Sequence, residues 1–320
     1  MAGWVWHAGP MDTFGARAEA AARLDGKFDV RVLEPSPPAV TQPPFADDAV
    51  AGGDVVPLER PDARSWASLC EEDPSLAGWC GDRWLAGWHR LEPVSGSFVA
   101  TRESLHALAE HVVAPARHQA NGKIGLRFTR GGFGTPWFGE DRQVRIDDGE
   151  LVVCEGADTQ RTPVTTLADA ARSAGIGSSG APTDVYTPST SLAVDEALDI
   201  DTAAAHALGE WYGFCASVLE QVRSESAGAS LVQLWPEHFD LAVDLGDEAA
   251  GQRANFGGSP GDAGHSEPYL YVGSWVSQEG EFWNEPWGAS LSYQELLAAD
   301  DQRGRALDFL RKGRDLLANG

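Results

Sequence analysis

The stretch His238-Phe-Asp-Leu-Ala-Val-Asp-Leu245 alternates apolar with polar or small residues. Successive side chains of an extended chain point to opposite faces, so Phe239, Leu241, Val243 and Leu245 share one face and His238, Asp240, Ala242 and Asp244 the other. The segment reads as a strand with one face on a core. The same sorting recurs where Ile124, Leu126 and Phe128 oppose Lys123, Arg127 and Thr129, and where Leu270, Val272 and Val276 oppose Tyr269, Tyr271 and Trp275.

Outward from these strands the pattern repeats. His106-Ala-Leu-Ala-Glu110 returns as His206-Ala-Leu-Gly-Glu210, each inside helical apolar spacing; Leu208, Trp211, Cys215, Val218, Leu219 and Val222 form one stripe. Strands are expected over 123–130, 142–147 and 150–155 in the first half, and over 230–235, 238–245, 252–257 and 269–276 in the second. Each half closes on a capped helix, one begun by Thr166-Leu-Ala-Asp169 and one by the capping box Ser292-Tyr-Gln-Glu295.

The expected fold class is therefore α+β: two related helix-strands-helix halves, a pseudo-twofold duplication, with antiparallel sheet. The halves occupy 98–175 and 199–320, joined by a Gly/Ser/Pro-rich linker over 176–198. Residues 1–97 are read as a Trp/Pro-rich N-terminal arm, with short helices near 64–70 and 75–90. Its Pro-rich run begins at Glu34 and suits neither a helix nor a central strand, because proline lacks the amide donor.

The run Gly125-Leu-Arg-Phe-Thr-Arg-Gly-Gly-Phe-Gly-Thr-Pro-Trp-Phe-Gly139 and the run Leu234-Trp-Pro-Glu-His-Phe-Asp-Leu-Ala242 resemble those of an uncharacterised protein family of high-GC bacteria. Residues 230–276 are also similar to a bacterial domain of unknown function. Neither resemblance implies an activity.

The 320 residues carry a formal net charge of -24. A field of that sign repels phosphate, which argues against nucleic acid and anionic membrane as partners and leaves small molecules, metals and proteins open. Thirteen carboxylates face one base, Arg223, between Asp184 and Ala250. With no run of 18 apolar residues and no signal-like N-terminus, the cytoplasm is the expected compartment. Cys70, Cys80, Cys154 and Cys215 are spaced for neither zinc nor a disulfide framework and read as buried thiols.

One sheet face thus carries aliphatic residues and the other His, Asp and Arg among large aromatics. Candidate ligand-binding residues on the second face and its loop are Arg127, Trp235, His238, Asp240, Asp262, His265, Tyr269, Tyr271 and Trp275. Weak metal-ligand candidates are His238, Asp240, His265 and Glu267, a mixture of imidazole and carboxylate that suits zinc, manganese or iron(II). The segment 282–288 offers further stacking rings. No Gly-x-Ser-x-Gly, His-Glu-x-x-His or kinase signature occurs, no cofactor is indicated, and whether the chain is an enzyme stays open. Three readings follow: a small-molecule-binding protein, a noncatalytic scaffold or protein-interaction module whose polar face is covered, and a divalent-metal-dependent hydrolase or oxygenase.

Overall fold

The computed structural model describes residues 89–319, apart from 130, 137, 139–141, 156–157 and 227–228. Most of the proposed arm, with its helices and with Cys70 and Cys80, lies outside the described residues.

The protein is α+β. Helix α1 (Phe98–Leu108) runs through a π-helical stretch, Ala109–Val113, into α2 (Ala114–Asn121), which stops at Gly122 in the left-handed conformation. Strands β1 (Arg127–Thr129), β2 (Gly132–Gly134), β3 (Arg142–Asp147), β4 (Glu150–Glu155) and β5 (Asp158–Pro163) follow as an antiparallel meander in sequence order. Helix α3 (Leu167–Ser173) then begins at Thr166, whose side chain accepts from the amide of Asp169 at 3.0 Å.

The second half repeats this element order. Helix α4 (Thr202–Ser224) precedes β6 (Gln233–Trp235), β7 (Asp240–Leu245), β8 (Ala254–Ser259), β9 (Tyr269–Ser274) and β10 (Ala289–Ser292), again a meander in sequence order. Ser292 and Glu295 form the expected capping box of α5 (Tyr293–Leu297), and α6 (Gln302–Asn319) ends the chain. Each half has five strands where three or four were expected. The two extra ones of the first half escape an alternation test, since β2 is Gly-Phe-Gly and β5 is a polar, largely exposed edge strand, and the extra one of the second half is the four-residue β10.

The two meanders join edge to edge, because Leu126 and Leu234 exchange backbone hydrogen bonds of 2.8 and 2.9 Å. Across this seam runs one aliphatic row, Leu126, Leu234, Leu241, Gly258, Leu270 and Leu291. Helix α4 packs on that face and crosses the seam. A methyl at Gly209 would lie 2.7 Å from the backbone of Gly131, one at Gly213 would touch Phe128, and the Cys215 thiol sits over Gly258. Leu208, Trp211, Cys215, Val218, Leu219 and Val222 are all buried. Fully burying a side chain of that size contributes roughly 1.5–3 kcal/mol, so this stripe is a main source of stability. Cys154 and Cys215 are buried free thiols.

The linker 176–198 has neither helix nor strand and is clamped from α1 and the π-helical stretch. The Glu110 carboxylate, 0% exposed, accepts from the amides of Ser189 (2.9 Å) and Thr190 (2.8 Å) and from the Thr190 hydroxyl. His111 Nδ1 accepts from the amide of Ala181 at 3.1 Å. Among the described residues no helix is long and apolar enough to cross a membrane.

Candidate functional site

The face opposite the aliphatic row carries a second row, Gln233, Ala242, Gly257, Tyr271 and Ser290, fixed by the strand registers. Beside it Trp235 lies opposite Asp240, and Tyr269 lies between Ser259 and Ser292. Period-two alternation puts Asp240, Tyr269, Tyr271 and Trp235 on this one face, as the sequence sorting has it.

Glycine at position 257 lets the site form. A Cβ there would fall 2.5–2.6 Å from the ring atoms of Tyr271, so the ring lies over the bare backbone of β8. From that position the Tyr271 hydroxyl reaches past β8 and donates to Oδ2 of Asp240 on β7. Asp240 is 6% exposed and its Oδ1 has no hydrogen-bond partner. Burial pushes this carboxyl above the usual range, against the opposing pull of His238 and Tyr271. Burial, then Asp240, drives the Tyr271 phenol well above its ordinary value, which keeps it protonated as a donor.

Next to this pair, Tyr269 donates to Oδ2 of Asp262 at 2.6 Å. Asp262 also accepts from the amides of Gly264 (2.6 Å) and His265 (2.9 Å). Burial works to raise its pKa, but these hydrogen bonds outweigh it and hold the carboxyl below its ordinary value. The His265 ring lies 4.6 Å from that of Tyr269 and its Nε2 is 3.2 Å from Glu285 Oε1. The loop 260–268 is held from α1, where Arg102 donates to the carbonyl of Ser266 at 3.2 Å and pairs with Glu103.

Trp287 completes the cluster. Its ring is 6.2 Å from Tyr269 and 6.1 Å from Tyr271, while Tyr269 and Tyr271 are 6.3 Å apart. The interplanar angles are 40°, 87° and 53°, so no ring is stacked flat on another. Segment 282–288 was singled out for its rings, but its place beside Tyr269 and Tyr271 follows only from β9 pairing with β10. Glu285 enters the same way, accepting from the Ser290 hydroxyl at 2.9 Å.

Other candidates lie elsewhere. His238 is on an exposed turn, not on β7; the chain turns at Phe239, whose φ of 54° breaks the strand expected from 238. Arg127 shares the face but lies on β1, four strand spacings from Tyr271, or roughly 19 Å. It is buried and donates to the carbonyl of Phe128. It lines, with Glu220 and Gln233, a cavity of about 20 Å³, the space of one water. Trp275 follows β9, four residues past Tyr271, and donates to Asn255 Oδ1 at 3.0 Å beneath the Arg253 guanidinium. Glu267 accepts from Gln294 Nε2 at 2.8 and 3.0 Å. Of the metal candidates His238, Asp240, His265 and Glu267, the last three are engaged by different groups, Tyr271, Glu285 and Gln294. Among the described residues no group of three or more His, Cys, Asp and Glu could hold a metal ion.

Fold and site together define an α+β protein with helices on one face of a double meander and a carboxylate–aromatic cluster on the other. Compared with protein-family models, curated proteins and solved structures, the chain matches none.

Proposed function

We propose that this is a small-molecule-binding protein of the cytoplasm whose site is the Asp240, Tyr269, Tyr271 and Trp287 cluster on the polar face of the second meander. One observation carries the reading: a buried carboxylate, Asp240, keeps one oxygen without a donor while its other oxygen is held by Tyr271, one of three clustered, unstacked rings. Buried polar groups are normally satisfied, and an exception set among aromatic walls is what a binding site needs before its ligand arrives. We further read the two halves as copies of one duplicated unit, on the strength of the repeated element order and of His106-Ala-Leu-Ala-Glu110 and its counterpart.

The test is a thermal-shift screen of a mixed small-molecule library against the full chain and against Trp287→Ala. Trp287 is 41% exposed, so its loss should leave the fold intact. Compounds that raise the melting temperature of the wild type but not of the variant support the site; a library with no such compound refutes it. A protein-interaction module is the second reading, favoured by the exposure of Trp275, Val276 and Trp287 around one hairpin.

A further inference from the structure

The chemistry of the ligand follows from what the cluster lacks. Its polar groups are mostly acceptors: Asp240 Oδ1 has no donor, and neither does Oε2 of Glu237 on the turn leading into β7. The hydroxyls of Tyr271 and Tyr269 are already committed to Asp240 and Asp262. Ser290 is committed to Glu285. An anionic ligand would therefore meet four carboxylates, Asp240, Asp262, Glu285 and Glu237. Arg102 of α1, which holds the loop, is 4% exposed and is engaged by Ser266 and Glu103, and His265 of the loop faces Asp262 and Glu285. The three rings supply the complementary surface, since the negative face of an aromatic ring attracts a positive charge. The net charge of -24 acts in the same direction at long range.

We infer that the site takes an organic cation, an alkylammonium or guanidinium group that donates N–H to Asp240 and lies against the rings of Tyr269, Tyr271 and Trp287. This rests on the proposed binding role of the same face. A bound cation also offsets the burial that holds the Asp240 carboxyl above its ordinary range, and the burial and neighbouring Asp240 and Glu110 charges that do the same to Glu237. Guanidinium suits the site on two counts, because it stacks on aromatic faces and presents several donors in a plane.

The experiment is a ligand-observed NMR titration of the full chain with butylguanidinium and butylurea, which match in shape and differ in charge. Butylguanidinium should bind at least on the order of tenfold more tightly than butylurea. Trp287→Ala and Asp240→Asn should each weaken it on the order of tenfold. A third probe, N-acetyl-arginine-N-methylamide, separates the two sources of the cation. If it binds more tightly than butylguanidinium, the cation is the side chain of a partner protein; if more weakly, it belongs to a free metabolite. Equal binding of butylurea, no binding of butylguanidinium, or an affinity unchanged in Trp287→Ala overturns the inference. Should Asp240→Asn fail to fold, Trp287→Ala decides alone. If the library screen yields neutral or anionic compounds that lose binding in Trp287→Ala, the face is a ligand site and the cation inference alone falls. If nothing binds there, both fall.

Discussion

The Tyr271 hydroxyl on β9 donates to the Asp240 carboxylate on β7, passing over Gly257 of the intervening strand β8. Two residues that are not on adjacent strands are in this way tied through the absence of a side chain between them. The bond is partly buried, with Asp240 only 6% exposed, so its loss should cost more than a surface hydrogen bond. Tyr271→Phe removes the side-chain donor to the Asp240 carboxylate and should destabilise the fold by about 1–3 kcal/mol in urea unfolding. Adding Asp240→Leu removes the stranded acceptor, so the double variant should lose less than the sum of the two single losses.

Gly257→Ala tests the same geometry from below. The new methyl occupies the space of the Tyr271 ring and must push it outward, off Asp240. A destabilisation of about 1–3 kcal/mol is expected, together with a change in the near-ultraviolet circular dichroism of the Tyr/Trp cluster. An unaltered spectrum would show that the ring does not rest on β8.

Glu110 should matter for the linker and not for the sheet. Glu110→Ala leaves the amides of Ser189 and Thr190 without their acceptor and should cost about 2–3 kcal/mol. Hydrogen exchange should speed up first at 186–190, with the slowest amides of β7 and β8 little changed.

Acid should act on the protein with two opposite slopes. Hydrogen bonds from Arg311, supported by Gln221 and Arg314, hold the Glu225 carboxyl at about 2 against burial. A folded-state pKa below the unfolded one gives stability that is complete above the unfolded value. That stability is lost as pH falls toward about 2. The pair is partly exposed, so Glu225→Gln should remove at most ~1 kcal/mol at neutral pH and flatten the acid limb. Asp240 is shifted the other way, raised by burial, so its ionisation opposes folding above its folded pKa. Asp240→Asn should accordingly stabilise the protein more at pH 8 than at pH 4 in paired thermal melts.

Much of this was legible in the chain. The alternation over 240–245 and 269–272 divided an aliphatic face from a polar one, because a strand buried on one side must sort its residues with period two, whereas Val276, sorted to the aliphatic face, lies past β9 and is exposed. The Thr166 and Ser292 caps were readable because their hydrogen bonds are local. What stayed hidden depends on distant pairing. Arg127 and Tyr271 sort to the same face, yet only the strand order shows four spacings between them. Trp287 and Glu285 join the site through the β9–β10 hairpin, and no local pattern reports that. His238 fits the alternation and fails because Phe239 takes a left-handed turn, a conformation that a bulky residue seldom announces.

The path of α4 across the seam between the meanders has a consequence for how the chain can be divided. Gly209 and Gly213 rest on the β1–β2 corner, whereas Cys215 rests on β8, so one helix provides the inner wall of both halves. Cutting in the linker would leave the N-terminal piece with its apolar face bare and the C-terminal piece with half a helix uncovered. Neither fragment should fold on its own, and the pair should instead reassemble by complementation when mixed. A single cooperative transition should therefore be seen for both halves in urea unfolding.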